Sequence, residues 1–167
     1  IEHLHKHLNN VTIRFMHEKF LSPYKPNETE SRIYQFWLDS GYFNPDNLPD
    51  AANKKPFTIV MPPPNANGNL HAGHALFITL EDIMTRFKRM QGFRALWIPG
   101  ADHAGFETQV VYEKKLEKEG RSRFGMDPKE LYKEIYDFTI MNKANMEAQV
   151  RSLGASCDWS REKFTLD

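Results

Sequence analysis

A single cysteine, Cys157, stands among the 167 residues, so an internal disulfide and a multi-thiolate metal site are both excluded and a reducing compartment, the cytoplasm, is the expected setting. No apolar run approaches the ~18 residues that a membrane span needs, and the first residues carry no signal-peptide core, so no membrane partner is expected. Excess charge of either sign is missing too: 22 Lys and Arg balance 22 Asp and Glu, which leaves a formal net charge of zero with histidine neutral. That balance excludes a polybasic tail or a globally electropositive nucleic-acid binder, while a local basic patch stays open. Internal repeats and low-complexity stretches are also lacking. What is present is 40% hydrophobic and 13% aromatic residues in a chain of one-domain length, enough to bury a core and to argue against wholesale disorder.

The chain opens on Ile1 and regular patterning begins near Met16, so residues 1–15 are set apart as an upstream segment. Residues 16–55 read as an N-terminal helical extension. Within it one helix is predicted, with Asn27 as N-cap, Glu30 three positions on, Ile33, Phe36 and Trp37 on one face, and Gly41 as the stop. From residue 56 to 167 the pattern is α/β. Phe57–Met61 is short, apolar and β-branched between Pro56 and Pro62, and reads as a strand buried in a parallel sheet. A helix is predicted from near His71 to Gly92, with Leu76, Leu80, Ile83, Met84, Phe87 and Met90 at helical spacing as its apolar face. Ala95–Ile98 supplies a second strand, closed by Pro99 and Gly100. Strand, long helix and strand in this order make a βαβ unit with parallel strands. A helix from about Thr108 to Lys118 follows, and then a long one, capped by Asp127 with Pro128 in its first turn, running through Leu131, Ile135, Phe138 and Ala148 to Gly154.

The stretch from Pro62 to His74 falls between the carboxyl end of a predicted strand and the amino end of a predicted helix. An open parallel sheet takes its ligands there, and helix N–H groups attract anions. His71 and His74, three apart, share one face of the first helical turn. Two such donors could hold phosphate oxygens and meet the charge that builds at phosphorus during a displacement. Gly73 between them leaves room for a flat base against the backbone. Taken alone, such a pair is more often two polar residues at the surface or an incomplete metal site; a spacing of three instead of four and the lack of a carboxylate companion make metal the less attractive reading, so no metal ligand is expected. Asp102, just past the second strand, has two readings of equal standing: a cap for the next helix, or a carboxylate for a substrate's ammonium. Arg86, Lys88, Arg89 and Arg94 form a basic cluster that reads as a structural complement to a helix carboxyl end. Trp97 and Trp159 read as packing, and Cys157 as a small buried hydrophobe.

His71-Ala72-Gly73-His74 resembles the His-x-Gly-His signature of the class I aminoacyl-tRNA synthetases. Around it, Met61–Asn65, Arg86–Gly92, Trp97–Gly105 and Ser156–Arg161 are similar, in this order, to the valyl-tRNA synthetase family, a likeness that runs from about Lys19 to Asp167. Pro62-Pro63-Pro64-Asn65 and Asp102-His103-Ala104-Gly105 favour valine, whereas Ala66-Asn67-Gly68 is similar to the isoleucyl pattern. The resemblance implies the first half of a Rossmann-like nucleotide-binding fold, with parallel strands and flanking helices. It implies ATP-dependent activation of valine, with Mg²⁺ on the ATP, to valyl-adenylate, and transfer to tRNA(Val) in a longer parent. By the same resemblance His71 and His74 are catalytic and bind ATP together with Gly73, while Pro62, Pro63, Asn65 and Asp102 bind the amino acid. Rigid prolines suit a pocket wall that must exclude one methylene, a discrimination of only about 1–3 kcal/mol.

The family's second signature, Lys-Met-Ser-Lys-Ser, does not occur in the chain, which the resemblance reads as an N-terminal piece that stops before the editing insertion. Ala72 and Glu107 are variations that one sequence does not rank. Rival readings are an isoleucyl-type piece, a stand-alone nucleotidyltransferase and a non-catalytic module. A nucleotidyltransferase would carry its own complete phosphate-binding half, and no basic Ser/Thr-rich loop occurs near the carboxyl end. A strand left unpaired on one side predicts self-association through the sheet edge.

Overall fold

In the computed structural model, which describes residue 20 and residues 22–167, Pro26 opens helix α1 (Pro26–Asp39). The segment set apart as 1–15 lies outside the described residues. Proline's fixed φ and missing N–H suit the first helical position, so Lys25 becomes the N-cap and Asn27 falls inside the helix instead of capping it. Tyr34 on α1 donates to the Ala155 carbonyl at 2.9 Å and accepts from Trp159 Nε1 at 2.9 Å, which ties this helix to the far end of the chain. Phe36, expected on the same face as Ile33 and Trp37, is 72% exposed.

Strand β1 (Pro56–Val60) pairs in parallel with β2 (Arg94–Ile98), Pro56 opposite Arg94 and Val60 opposite Ile98, and α2 (Ala72–Met90) connects them as the βαβ pattern requires. A shorter parallel pair joins β3 (Gly100–Ala101) to β4 (Lys163–Phe164). Between these lie α3 (Gly105–Lys118) and α4 (Pro128–Ser152). Asp127 caps α4 as the sequence suggests, accepting from the N–H groups of Lys129 and Glu130 at 2.9 and 3.3 Å. The architecture is α/β, with parallel strands and flanking helices. Among the described residues no helix is long and apolar enough to cross a membrane.

The core gathers Met61, Ile78, Trp97, Val150, Ala155 and Cys157, so α2, β2 and α4 close over the carboxyl ends of the long strands. A second cluster of Ala66, Ala101, Met146 and Phe164 seats the short strand pair on α4. One expectation needs correction. β1 is covered on one face only: Phe57 and Ile59 are half-buried, while Pro56, Thr58 and Val60 are exposed. The apolar stripe of α2 points outward, with Leu76 63% and Met90 86% exposed.

The inner face of α2 is instead Ile78 and Thr85 with four charged neighbours, each of which finds a hydrogen-bond partner. Glu81 accepts from Trp97 Nε1 at 3.0 Å. Asp82 accepts from the Ser156 N–H at 2.9 Å and from its hydroxyl at 2.5 Å, and Arg86 Nε donates to Asp82 at 2.6 Å. Arg86 also reaches the Gly154 carbonyl at 2.9 Å, and Arg89 takes the Ser156 carbonyl at 2.8 Å. A polar side chain is tolerated inside when its hydrogen bonds are satisfied, which is why the hydrophobic period gave the helix but not its direction.

Candidate active site

Met61 N–H donates to the Ile98 carbonyl at 2.9 Å, the last regular step between the long strands. Pro62, Pro63 and Pro64 then have no N–H groups to offer, and the ladder lapses. It resumes once: Asp102 N–H donates to the Pro64 carbonyl at 2.9 Å and Ala66 N–H to the Asp102 carbonyl at 2.7 Å, an isolated parallel bridge that sets Asn65 beside Asp102. Pro62 and Pro63 are exposed and Pro64 is buried, so the first two form an open ledge beside that bridge. Gly100 packs closely under the ledge: a Cβ there would stand 3.3 Å from the Lys163 carbonyl oxygen, a tight contact, and 3.5 Å from Pro63 Cβ, an ordinary one.

His71 is the N-cap of α2 and His74 its third residue, and each serves the other's backbone. His71 Nδ1 accepts from the Gly73 N–H at 3.1 Å, and His74 Nδ1 accepts from the His71 N–H at 3.2 Å. This is a capping box made of two imidazoles, with ring centroids 3.9 Å apart. A nitrogen that accepts carries no proton, so in both rings the proton sits on Nε2, and the turn presents two N–H donors at the amino end of a nineteen-residue helix. Burial first, and the neighbouring His71 second, hold His74 below the ordinary histidine range, which favours this neutral form. Gly73 has a reason that the sequence did not reveal. A Cβ at that position would lie 2.9 Å from His71 Cε1, so the missing side chain lets the His71 ring fold back over the turn.

Asp102 does not cap the next helix. The N-cap of α3 is Ala104, in left-handed conformation at φ +55°, and no side chain caps that helix. Asp102 Oδ1 braces the turn instead, accepting from the Ala104 N–H at 2.9 Å and from the Thr165 hydroxyl at 3.1 Å. Thr165 Oγ1 also accepts from the His103 N–H at 2.9 Å. Across the bridge, Asn65 Nδ2 donates to Glu107 Oε2 at 2.7 Å. The loop before His71 hangs on α4: Asn69 Oδ1 accepts from Asn145 at 2.7 Å and from Gln149 at 2.9 Å, and Leu70 N–H donates to Gln149 at 2.7 Å.

The structure thus brings Pro63, Asn65 and Asp102 together and sets His71, Gly73 and His74 at the next helix start. Sequence reasoning missed Glu107, Thr165, Asn145 and Gln149 as their supports, at separations of 42 to 80 residues. The one local signal was the amide pair Asn145 and Gln149, one turn apart on α4. The basic cluster has the structural role expected of it. Arg86 and Arg89 hold residues 154–156, and Lys88 lies 4.7 Å over the Phe93 ring. Cys157 is buried and its thiol is pushed up to about 12 by burial, so it is no nucleophile. Among the described residues no group of three or more His, Cys, Asp or Glu is placed to hold a metal ion. A cleft of about 860 Å³ lies elsewhere, between α1 and the end of α4, and shares no residue with this site.

The family model described as tRNA synthetases class I (I, L, M and V) matches residues 32–167. A valine–tRNA ligase of Dehalococcoides mccartyi is 49% identical over 144 residues, which cover 86% of this chain and 16% of that protein. The Arabidopsis thaliana valine–tRNA ligase, chloroplastic/mitochondrial 2, is 49% identical over 83% of this chain and 14% of its own length. That of Bdellovibrio bacteriovorus is 43% identical over 91% and 17%. The chain therefore spans about one sixth of the length of these relatives. The crystal structure of the ternary complex of Agrobacterium radiobacter K84 agnB2 LeuRS, tRNA and LeuAMS superposes with a TM-score of 0.68 over 87% of this chain and 16% of that chain, at 20% identity, a likeness of fold.

Proposed function

The chain belongs to the class I tRNA synthetases (I, L, M and V), and from that premise we propose that it is the part of a valine–tRNA ligase where ATP and valine meet and valyl-adenylate is made. The observation that carries the proposal is the reciprocal imidazole cap of His71 and His74, which leaves two N–H donors at a helix amino end, in the segment that follows the Asn65–Asp102 bridge. The valine carboxylate attacks the α-phosphorus in line; the bond to the bridging oxygen breaks and pyrophosphate leaves. His71 and His74 donate to phosphate oxygens whose charge peaks in the transition state, and the Gly73 backbone underlies adenine. Asp102 and Asn65 take the ammonium, and Pro62 and Pro63 wall the branched side chain.

Imidazole and backbone N–H donors match anions, whereas Mg²⁺ wants oxygen ligands, so the ion arrives on the ATP phosphates and not on this turn. In the longer enzyme the valyl group passes to tRNA(Val), in the cytoplasm. Residues 56–167 form the nucleotide-binding half and 16–55 an extension in front of it. By itself the chain associates with further copies through its uncovered sheet edge.

Calorimetric titration with a non-hydrolysable valyl-adenylate analogue, beside its isoleucyl counterpart, tests this reading. The valyl form is expected to bind more tightly. Asp102→Asn should weaken it by about 1.5–3 kcal/mol, the range for a hydrogen bond to a charged group, with ATP binding little changed. Absence of binding by both analogues, or equal titrations for wild type and Asp102→Asn, would sink it. His71→Ala and His74→Ala should slow adenylate formation more than they weaken analogue binding.

A further inference from the structure

An asparagine carboxamide has two ends of nearly equal shape and opposite character, an acceptor oxygen and a donor NH₂, and the surrounding hydrogen bonds decide which way it faces. At Asn65 that decision falls to Glu107. A carboxylate only accepts, and Glu107 Oε2 lies 2.7 Å from Asn65 Nδ2, so the NH₂ end is committed to α3. Asn65 Oδ1 takes no hydrogen bond among the described residues and stays free as an acceptor, next to Asp102 across the parallel bridge.

Both carboxylates are set by one turn. Asp102 Oδ1 holds the Ala104 N–H at 2.9 Å, and the Ala104 carbonyl accepts from the Glu107 N–H at 2.9 Å. The left-handed Ala104 therefore links the residue that would meet an ammonium to the residue that orients its neighbour. An ammonium has donors and no acceptor; it can use Asn65 Oδ1 and is repelled by a flipped NH₂.

We propose that Glu107 is a positioning residue for amino-acid recognition: by holding Asn65 Nδ2 it keeps Asn65 Oδ1 turned toward the substrate's ammonium. This rests on the reading of the Asn65–Asp102 bridge as the amino-acid site. The rival role is a plain tie between the proline loop and α3, which would serve any ligand alike.

The test uses the full 167-residue chain and two calorimetric probes: the non-hydrolysable valyl-adenylate analogue, and the same molecule without its α-amino group. Glu107→Ala should weaken the amino-bearing probe roughly fivefold, one hydrogen bond's worth, and leave the other unchanged. Glu107→Gln should restore wild-type affinity, because its side-chain oxygen accepts the same hydrogen bond. In an Asn65→Ala background, Glu107→Ala should have no further effect. Equal losses for both probes assign Glu107 the plain tie, and a loss that survives in the Asn65→Ala background assigns it a direct charge effect; either overturns the proposal. So does unchanged binding of both probes in every Glu107 variant. A wild-type chain that binds neither probe removes the amino-acid site itself, and the proposal with it, a result distinct from all of these.

Discussion

Along α2, the face turned to β2 and α4 carries Glu81, Asp82, Arg86 and Arg89 beside Ile78 and Thr85, whereas the face turned outward carries Leu76, Leu80, Ile83, Phe87 and Met90. The inner face is the more polar one, and it is held by specific partners: Trp97, Ser156 and the Gly154 carbonyl. The outer face has apolar area and, among the described residues, little to cover it. A polar network needs particular geometry, and here its partners come from Trp97 and from residues 154–156 of the same chain. An apolar stripe needs only some apolar surface, and a large exposed one marks a place where another surface belongs. The two faces thus differ in what stabilises them, and substitutions should separate them.

The largest contrast is expected from truncations at matched positions. Ile78→Ala empties a fully buried site and should lower stability by about 2–5 kcal/mol in urea denaturation, while Leu80→Ala on the outer face should change it far less. Comparable losses would break the distinction between the faces. Next in size is Asp82→Ala, which leaves Arg86 Nε and the Ser156 N–H without their acceptor and should cost about 1–3 kcal/mol by the same measurement. A neutral result would mean that water serves these groups as well as Asp82 does.

A smaller effect follows at the amino end of the helix. His74 is held below its ordinary value of 6.5, so at low pH the unfolded chain takes up this proton more readily than the folded one. Stability is then full above about pH 6.5 and falls as pH drops below it, toward the lowered value of the folded state. Thermal midpoints measured from pH 8 to pH 5 should show this decline, and His74→Gln should flatten part of it. An unchanged profile in His74→Gln would free His74 from the cap. The smallest effect on stability, within about 0.5 kcal/mol, belongs to Leu80→Ser. Sedimentation over a range of concentrations should then show self-association through the open edge of β1 unchanged by Leu80→Ser. Weaker association in that variant would move the contact to the outer face of α2.

Much of the site could be read locally because its signals are local. The strand ends where prolines remove N–H donors, the helix begins at His71, and Asp102 follows the second strand. The paired histidines were legible as neighbours on one turn; that each caps the other's backbone was not, since it depends on how the His71 ring folds over Gly73. Glu107 was visible only as a variation, because its meaning lies in Asn65, 42 residues away. Of the two readings of Asp102, the helix cap was excluded only when Ala104 took the N-cap, and its tie to Thr165, 63 residues away, had no local signal.

By itself the sequence determined the α/β order of elements, the parallel strand pair, the cap at Asp127 and the start of α2 near His71, all set by backbone chemistry within a few residues. The tertiary structure alone decided which way α2 faces, how much of β1 is covered and which distant side chains orient Asn65 and Asp102. Periodicity reports that one face of a helix is apolar, but the side it turns inward depends on where hydrogen-bond partners from other elements arrive.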